Sequence, residues 1–501
     1  KAMNDLEMFR EELAHCDEKI IDALNERYAI VEKIVKYKEE YGIPILQPFQ
    51  GEKRNKNLEA LLSNSSHKDE VLDVFGRIER NSRKIQGGKL FDYNIVLIGF
   101  MGAGKSTYAI NMINRNPEKQ YLIVLPFLSE IQRYKENISN CGIVEPRSWG
   151  MSKSTNLKEL IKRGKNIITT HQLIQRIDNE TLDLLEEQNY TLVLDEALNV
   201  VSKSDITKDD LKAFMNNSYI KLADDGYFEW NTGLPDAGQY KRGNNTLIKQ
   251  LCERRVLRAY TDKRGKIISV VQQFPPEFFH KFTETYIFTY LWTGSMQEAY
   301  FKINNIQYEH LSLLNGVLIP YNVEVEQSIK QAIKELIAVV DDEKLNSIGE
   351  RRYRSNPLSS GWYHNHPELL PALKNNVYNF FRHKAAGAAS DNMWSTYKDY
   401  RYELKGKGYA GSAKNVCFVP FNVKGVNDYA HKKNLAYLVN LFPEPEIKNF
   451  FHQYGATLDA DNYALSCMIQ WMWRSQIRNG KPITLYLPSE RMRSLFYKWI
   501  S

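Results

Sequence analysis

The chain has 501 residues, too many for one ordinary hydrophobic core, so we expect about three domains of roughly 150 residues each. Hydrophobic residues make up 43% of it and charged residues 25%, which is typical of a globular protein, and the net charge of +7 permits a polyanionic partner without requiring one. The five cysteines are scattered and form no C-x-x-C pair, which argues against a disulfide framework or a zinc cluster. No apolar run approaches the ~18 residues of a membrane span, so we expect a cytoplasmic protein without membrane contact.

The first segment, residues 1–88, is predicted to be entirely helical. Apolar residues recur at helical spacing from Leu6 to Val35, and "YGIPILQPFQG" then breaks the pattern with glycine and proline. Further helices are predicted over residues 52–62 and 69–86, and "QGGK" is a candidate linker.

The pattern changes from residue 89 onward to short apolar strands that alternate with helices. Such alternation predicts parallel sheets covered by helices, in one lobe over 89–300 and a second over 301–501. Strands of the first lobe are predicted at Asn94–Ile98, Tyr121–Leu125, Asn166–Thr170, Tyr190–Leu194 and Tyr286–Tyr290. Strands of the second lobe are predicted at Gly316–Pro320, Asn415–Pro420, Leu435–Asn440 and Ile483–Leu487.

The strongest motif follows the first predicted strand. The sequence "GFMGAGKS" has the spacing G-x-x-x-x-G-K-S between a strand and a helix, which predicts a phosphate-binding loop for ATP. Backbone amides would surround the phosphates, Lys105 would neutralise phosphate oxygens, and the Ser106 hydroxyl would ligate Mg²⁺. The predicted nucleotide-binding residues are Gly99, Gly102, Ala103, Gly104, Lys105, Ser106 and Thr107.

A pair of carboxylates completes the predicted nucleotide site. In "YTLVLDEALNV", Asp195 and Glu196 follow an apolar strand downstream of the phosphate loop. Asp195 would hold Mg²⁺ through water, and Glu196 would polarise the attacking water. The predicted activity is ATP hydrolysis.

From this point the chain resembles the superfamily 2 nucleic-acid helicases and their phage-encoded relatives, over residues ~95–501. "YLIVLPFLSEIQRY", "IITTHQLI" and "TYLWTGSM" are similar, in order, to helicase blocks that contact nucleic acid or couple nucleotide state to the second lobe. The resemblance implies two RecA-like lobes, nucleic-acid contacts at Thr170 and His171, and a bacterial or phage-infected host cell.

"MIQWMWRSQIRNGKPITLYLPSERM" resembles the last helicase block, which supplies an arginine finger from the second lobe. Gln470, Arg474 and Arg478 are four residues apart, so on a helix they would share one face. The planar guanidinium is suited to clamping a transferring phosphoryl group. The family spacing differs here, and either Arg474 or Arg478 is the candidate finger.

The segment 375–409 interleaves aromatic with basic residues, as in proteins that bind single-stranded nucleic acid. Arg382, Trp394 and Lys398 are the candidate contacts, with single-stranded DNA as the expected partner. An amphipathic helix with core aromatics and a basic exterior would give the same pattern.

Residues 6–86 resemble the all-helical chorismate mutase family. The residues that match its ligand-binding positions are Arg10, Arg27, Lys38, Ser82 and Gln86. Arg27 and Lys38 would share one helix face, whereas Arg10 would serve a partner subunit, which implies a homodimer through these helices. The expected acidic residue and Arg-Glu pair after the turn are replaced by "LQPFQGEKR", so the resemblance also fits a docking or dimerising domain without mutase activity.

Three functions therefore remain open. The favoured one is an ATP-dependent helicase or translocase. The second is a bifunctional metabolic enzyme, since the chain also resembles fusions of this mutase with shikimate kinase, although the stretch directly after the loop lacks the kinase pattern D-x-D and no Gly-Gly-Gly segment occurs. The third is a nucleic-acid-binding ATPase switch that never unwinds.

Overall fold

A computed structural model describes residues 2–41, parts of 57–82, 94–98 and the chain from 104 to 501, except residues 205, 235–243, 315, 322, 352–354, 386 and 423–428. The chain forms two compact units, residues 1–93 and residues 94–501. Within the described residues, no helix is both long enough and apolar enough to cross a membrane.

The N-terminal unit is dominated by one helix, α1 (Ala2–Tyr41), as its apolar spacing predicts. Val31 on this helix is buried, whereas many of its large apolar side chains are exposed. The described residues between 57 and 82 include further helical positions, but most of the helix predicted over 69–86 lies outside the described residues.

The larger unit contains a mixed sheet that has eight strands in the described part of the chain. Its order is β13-β12-β1-β11-β5-β2-β4-β3, and all neighbouring strands are parallel except the pair β12 and β13. The strands are β1 (Asn94–Ile98), β2 (Gln120–Leu125), β3 (Ile143–Val144), β4 (Asn166–Thr170), β5 (Tyr190–Asp195), β11 (Glu284–Thr289), β12 (Tyr308–Leu314) and β13 (Val317–Pro320). The five strands predicted for the first lobe are therefore present.

Helices cover this sheet because their apolar side chains pack against strands that are buried on both faces. Several begin at a side-chain cap, such as Ser152 or Asp178, which accepts a hydrogen bond from a backbone amide of the first turn. The helices are α2 (Lys105–Arg115), α3 (Leu128–Asn137), α4 (Lys153–Lys162), α5 (His171–Ile174), α6 (Asn179–Glu186) and α9 (Met296–Ile303).

The strand predicted at Gly316–Pro320 was wrongly assigned to the second lobe. Strand β13 pairs antiparallel with β12, and β12 pairs with β1, so the first sheet continues to residue 320. The two strands are separated only by the Asn-Gly pair at 315–316, and Gly316 has a φ of 76°. Asn-Gly between apolar runs is a strong hairpin signal, because both turn positions favour positive φ. A lobe boundary at 300 would cut this sheet.

An antiparallel module is inserted between β5 and β11. Its three-stranded sheet has the order β6-β10-β9, beside a β7–β8 hairpin, and it has a hydrophobic core of its own. Its elements are β6 (Val201–Lys203), α7 (Lys208–Asn216), β7 (Ile220–Leu222), β8 (Phe228–Trp230), α8 (Asn244–Glu253), β9 (Leu257–Thr261) and β10 (Ile267–Gln273). The sequence patterns predicted none of these strands.

The second lobe is built on a parallel sheet of order β14-β17-β16-β15. The strand predicted at Asn415–Pro420 is not formed there, since only Phe418 makes an isolated bridge, to Trp394. The strands are β14 (Ile337–Val339), β15 (Asn392–Ser395), β16 (Asn434–Tyr437) and β17 (Ile483–Tyr486). The helices are α10 (Val323–Lys334), α11 (Glu343–Asn346), α12 (Ser360–Asn365), α13 (Leu370–Asn379), α14 (Arg401–Leu404), α15 (Pro445–Gln453), α16 (Ala460–Met472) and α17 (Glu490–Ile500).

One hydrophobic cluster joins the two lobes. It includes Tyr300 and Phe301 of the first lobe together with Phe450 and Phe451 of the second. The inserted module also contacts the second lobe, where the Arg258 guanidinium lies 3.5 Å from the centre of the Tyr454 ring. Buried contacts therefore connect the two lobes.

Candidate active site at the carboxyl edge of the first sheet

The phosphate-loop helix and the acidic strand meet at one edge of the first sheet. Strand β11 lies between β1 and β5, and because all three are parallel, their carboxyl ends lie side by side. The Ser106 hydroxyl on the first turn of α2 donates a hydrogen bond to Asp195 at the end of β5, with 3.1 Å between Oγ and Oδ2. The structure thus brings together two of the predicted site residues, which are 89 positions apart in sequence.

Lys105 begins helix α2 directly after Gly104, whose φ is 81°. Burial lowers the pKa of the Lys105 ammonium, and the carboxylates of Glu196 and Asp195 act in the opposite direction. The ammonium is therefore buried beside two carboxylates, whose negative charge exceeds its own. Thr107 is exposed on the same turn, whereas Gly99, Gly102 and Ala103 lie outside the described residues.

Asp195 is contacted by two further side chains, for which the sequence predicted no contact with this residue. The buried Tyr134 hydroxyl donates to Asp195 Oδ2 at 3.0 Å, and His171 Nε2 donates to the Asp195 carbonyl at 2.9 Å. Burial, followed by the Asp195 charge, raises the pKa of Tyr134 well above its ordinary value, so the phenol keeps its proton. The Ser106 and Tyr134 hydroxyls, which both donate to Oδ2, thereby orient the carboxylate.

Glu196 adopts a backbone conformation that is uncommon for a residue with a side chain. Its φ is 68°, and its backbone amide donates to the Phe288 carbonyl of β11 at 2.8 Å. A left-handed conformation costs a non-glycine residue on the order of 1 kcal/mol and occurs where the surroundings enforce it. The turn re-aims the chain immediately after the strand, at the position predicted for the residue that polarises water.

Arg474 brings a positive charge from the second lobe to this site. Its side chain is 9% exposed, and its Nε and Nη1 atoms have no hydrogen-bond partner among the described residues. Burial lowers the pKa of Arg474 to about 10, while the Glu196 carboxylate raises it and the nearby Arg478 lowers it further. The charge of Glu196 in the first lobe therefore acts on Arg474 of the second lobe.

The prediction that Gln470, Arg474 and Arg478 share one helix face is wrong. Helix α16 ends at Met472, so Gln470 is half-buried on its last turn, while Arg478 lies in a separate 3-10 helix, Gln476–Asn479. The Ser475 hydroxyl donates to the Met472 carbonyl, and the Gln476 amide donates to the Lys432 carbonyl. These contacts redirect the chain, yet Arg474 and Arg478 remain neighbours.

The residues predicted to contact nucleic acid fall into two groups. Arg382 and Lys398 are exposed, and Thr170 is half-buried at the end of β4. The prediction is wrong for Trp394, which is completely buried and donates its indole N–H to the Tyr409 carbonyl at 2.9 Å. His171 is also buried, and its Nε2 atom donates to the Asp195 backbone carbonyl.

The N-terminal unit brings together two of the five mutase-like candidates. The Arg27 guanidinium donates a hydrogen bond to the buried Ser82 hydroxyl, which itself donates to the Ile78 carbonyl at 2.7 Å. Burial lowers the pKa of Lys38, eleven residues after Arg27 on the same helix. Arg10 is exposed, and Gln86 lies outside the described residues.

Comparison with known proteins identifies the family. The chain is 33% identical over 416 residues to the SPbeta prophage-derived uncharacterized protein YonV of Bacillus subtilis (strain 168), a match that covers 81% of this chain and 98% of that protein. The chain belongs to the YonV family. The YonV middle domain matches residues 201–268, which is the inserted antiparallel module, and the YonV C-terminal Rossmann-like domain matches residues 331–500.

The N-terminal region, which precedes the matched YonV domains, is similar to a different family. The chorismate mutase type II family matches residues 9–87. The predicted fold class is confirmed: an all-helical chorismate mutase domain is followed by α/β domains with parallel sheets.

Solved structures with a similar chain path include helicases. "XPD_APO" has a TM-score of 0.42 at 13% identity, covering 82% of this chain and 95% of that one. "XPD_Helicase" has a TM-score of 0.43 at 12% identity, covering 91% of this chain and 98% of that one.

Proposed function

We propose that this YonV-family protein hydrolyses ATP in the cleft between its lobes. It uses the energy to move along, or unwind, nucleic acid, and it does so as a phage-type member of helicase superfamily 2. The observation that carries the proposal is the buried Arg474 guanidinium, which comes from the second lobe and interacts with Glu196 of the first. Two of its nitrogen atoms lack partners among the described residues, so a phosphoryl group could bind them.

The donor atoms at the sheet edge fit a magnesium–nucleotide complex. The Ser106 hydroxyl and the Asp195 carboxylate are hard oxygen donors 3.1 Å apart, the type that Mg²⁺ prefers. Mg²⁺ is commonly held by one or two carboxylates together with substrate phosphates, and when bound it would neutralise phosphate charge. Tyr134 would keep Asp195 oriented after the Ser106 hydroxyl turns from the carboxylate to the metal.

Each remaining residue has a separate task. Lys105 binds phosphate oxygens, and the Glu196 carboxylate accepts a hydrogen bond from the attacking water and orients it. Arg474 stabilises the charge that develops on the transferring phosphoryl group. Because Arg474 belongs to the second lobe, hydrolysis would depend on the spacing of the two lobes, which is the property that a motor needs.

The nucleic acid would run across the carboxyl edges of the sheets, near Thr170 and the exposed Arg382 and Lys398. Basic side chains that contact phosphates provide sequence-independent affinity that weakens with salt. We propose single-stranded DNA as the substrate to test first.

The decisive experiment measures the ATPase rate of the full chain with and without single-stranded DNA. We expect the DNA to stimulate wild-type turnover, and we expect Lys105→Ala and Arg474→Ala to abolish it. A strand-displacement assay then separates a motor from an ATPase switch. Turnover that neither DNA nor RNA stimulates would contradict the proposal.

A second activity is supported by the hydrogen bond between Arg27 and Ser82, which joins two of the mutase-like positions. We propose that this unit binds a chorismate-like dicarboxylate through cationic side chains and forms a homodimer along α1. The dimer is supported by the exposed apolar side chains of this helix, which include Leu6, Phe9, Leu13, Ile20 and Ile34. Light scattering of wild type against Leu13→Lys tests the dimer, and chorismate conversion by wild type against Arg27→Ala tests the site.

A further inference from the structure

Trp149 differs from every other tryptophan in the chain. The sequence has eight tryptophans, and Trp149 is 78% exposed. The other seven are between 0% and 9% exposed, namely Trp230, Trp292, Trp362, Trp394, Trp471, Trp473 and Trp499. An indole left in water contributes little to folding, and beside a cation it offers a flat surface for stacking.

The loop that carries Trp149 is anchored at both ends. It follows β3, where Pro146 is buried and the Arg147 amide donates to the Asn156 side chain at 2.8 Å. It ends at Ser152, whose hydroxyl caps helix α4. Between these anchors, Gly150 has a φ of 70° with open space around it, so the tip of the loop is presented to solvent.

The charge around the indole favours an anionic ligand that has a flat apolar face. The Arg147 guanidinium lies 5.0 Å from the centre of the Trp149 ring, an arrangement that places a cation beside a stacking surface. Lys153 lies at the end of the same loop, 4.0 Å from the Glu145 carboxylate. Nucleic acid offers both a base for the ring and a phosphate for the guanidinium, whereas a purely apolar partner would use only the ring.

The loop also lies at the appropriate edge of the sheet. Strand β3 is parallel to β4, β2 and β5, so the Trp149 loop leaves the same carboxyl edge as Asp195. Three strand spacings of ~4.8 Å place the end of β3 about 14 Å from the end of β5. Exposed Leu128 follows β2 along this edge.

We infer that Trp149 is a stacking platform for a base of single-stranded nucleic acid, with Arg147 contacting the adjacent phosphate. This inference rests on the proposed function and specifies where the strand crosses the first lobe. The platform does not contact the nucleotide site, so the basal ATPase rate should not depend on it.

The test measures binding of a fluorescein-labelled deoxythymidine 20-mer by anisotropy over a range of salt concentrations. Because stacking of one base is a substantial part of single-strand affinity, Trp149→Ala should bind at least about fivefold more weakly, while Trp149→Phe keeps most of the affinity. Trp149→Ala should leave the slope of affinity against salt unchanged, whereas Arg147→Gln should reduce that slope by about one phosphate contact. Tyr497→Ala, which removes another exposed aromatic ring, is the matched control.

Fluorescence gives an independent readout. Iodide should quench Trp149 selectively because the other tryptophans are buried, and the oligonucleotide should protect it. If wild type binds the oligonucleotide and Trp149→Ala binds equally well, the platform is refuted while the proposed function stands. If wild type binds no single-stranded nucleic acid, both fail. If Trp149→Ala leaves the oligonucleotide affinity unchanged but abolishes binding to a protein, the loop is a protein-binding surface and the platform is also refuted.

Discussion

Replacing Arg474 with methionine should separate catalysis from stability. The guanidinium interacts with Glu196 and has two nitrogen atoms without a partner among the described residues. An arginine finger contributes on the order of 10³-fold or more to turnover in phosphoryl transfer. We therefore expect Arg474→Met to lower kcat by at least about 100-fold, with little change in the KM for ATP, because the contact is made chiefly in the transition state.

Arg474→Met should either stabilise the folded protein or change its stability only slightly, although it lowers kcat. A buried donor without a partner costs about 1–3 kcal/mol, and burial of this cation is reflected in a pKa of about 10. Methionine fills a similar volume without that penalty, although it loses the attraction to Glu196. We expect the free energy of unfolding to rise or to change by less than about 1 kcal/mol, measured as the thermal midpoint of the nucleotide-free protein.

Arg493 provides a matched control. Its Nη1 atom donates to the Leu487 and Pro488 carbonyls at 2.8 and 2.6 Å, so this arginine has a structural role. Arg493→Met should lower the thermal midpoint and leave kcat per folded molecule nearly unchanged. If Arg474→Met instead destabilises the protein while turnover persists, Arg474 is a structural arginine and the active-site assignment is refuted. Arg478→Met shows whether its neighbour shares the catalytic task.

Three further changes test the positioning contacts. Tyr134→Phe removes the hydroxyl that donates to Asp195. Because a hydrogen bond to a charged group is worth about 1.5–3 kcal/mol, kcat should fall at least about tenfold while the thermal midpoint stays normal. Full turnover would show that the Ser106 hydroxyl alone is sufficient to orient Asp195. Gly294→Ala would place a Cβ 2.8 Å from the Cβ of Asp459, which precedes α16, and would strain a backbone with a φ of 77°. Because this clash disturbs a contact between the lobes, DNA stimulation of the ATPase rate should fall, while nucleotide binding measured by calorimetry should persist. Arg258→Ala removes the stack on Tyr454 and should destabilise the chain by about 2 kcal/mol in denaturant unfolding, and an unchanged midpoint would mean that the module docks without it.

The residues at the carboxyl edge of the first sheet could be predicted because the sequence patterns that mark strand ends span only a few neighbouring residues. A strand pattern followed by a polar residue fixes the end of a strand, and parallel topology brings such ends together, so Ser106 and Asp195 could be paired from sequence. Tyr134 could not be assigned a role in this way, because its contact with Asp195 spans 61 residues and depends on how α3 packs on the sheet. The last turn of α16 was also mispredicted, since a tertiary hydrogen bond from Gln476 to Lys432 helps to redirect the chain after Met472.

Aromatic residues show the same limit. Trp394 and Trp149 each lie near basic residues in sequence, yet the first is buried in β15 and the second is exposed on a loop. Interleaved aromatic and basic residues are compatible with either outcome, because an amphipathic helix or strand and a base-stacking surface contain the same residue types. Only the packing of β15 against its neighbours, including the Tyr409 carbonyl, distinguishes them.

Helix α16 is one of the elements that connect the two lobes. Helix α16 begins beside the loop that follows β11, where the Asn462 side chain donates to the Thr293 carbonyl, and it ends two residues before Arg474. Strand β11 lies between β1 and β5 and so ends beside the phosphate-loop helix. A helix of 13 residues is a rod of about 20 Å, so a shift of the loop at its start moves Arg474 at its end. The contact between Asn462 and Thr293, which are 169 residues apart in sequence, and the proposed arginine finger Arg474 thus lie at opposite ends of one helix.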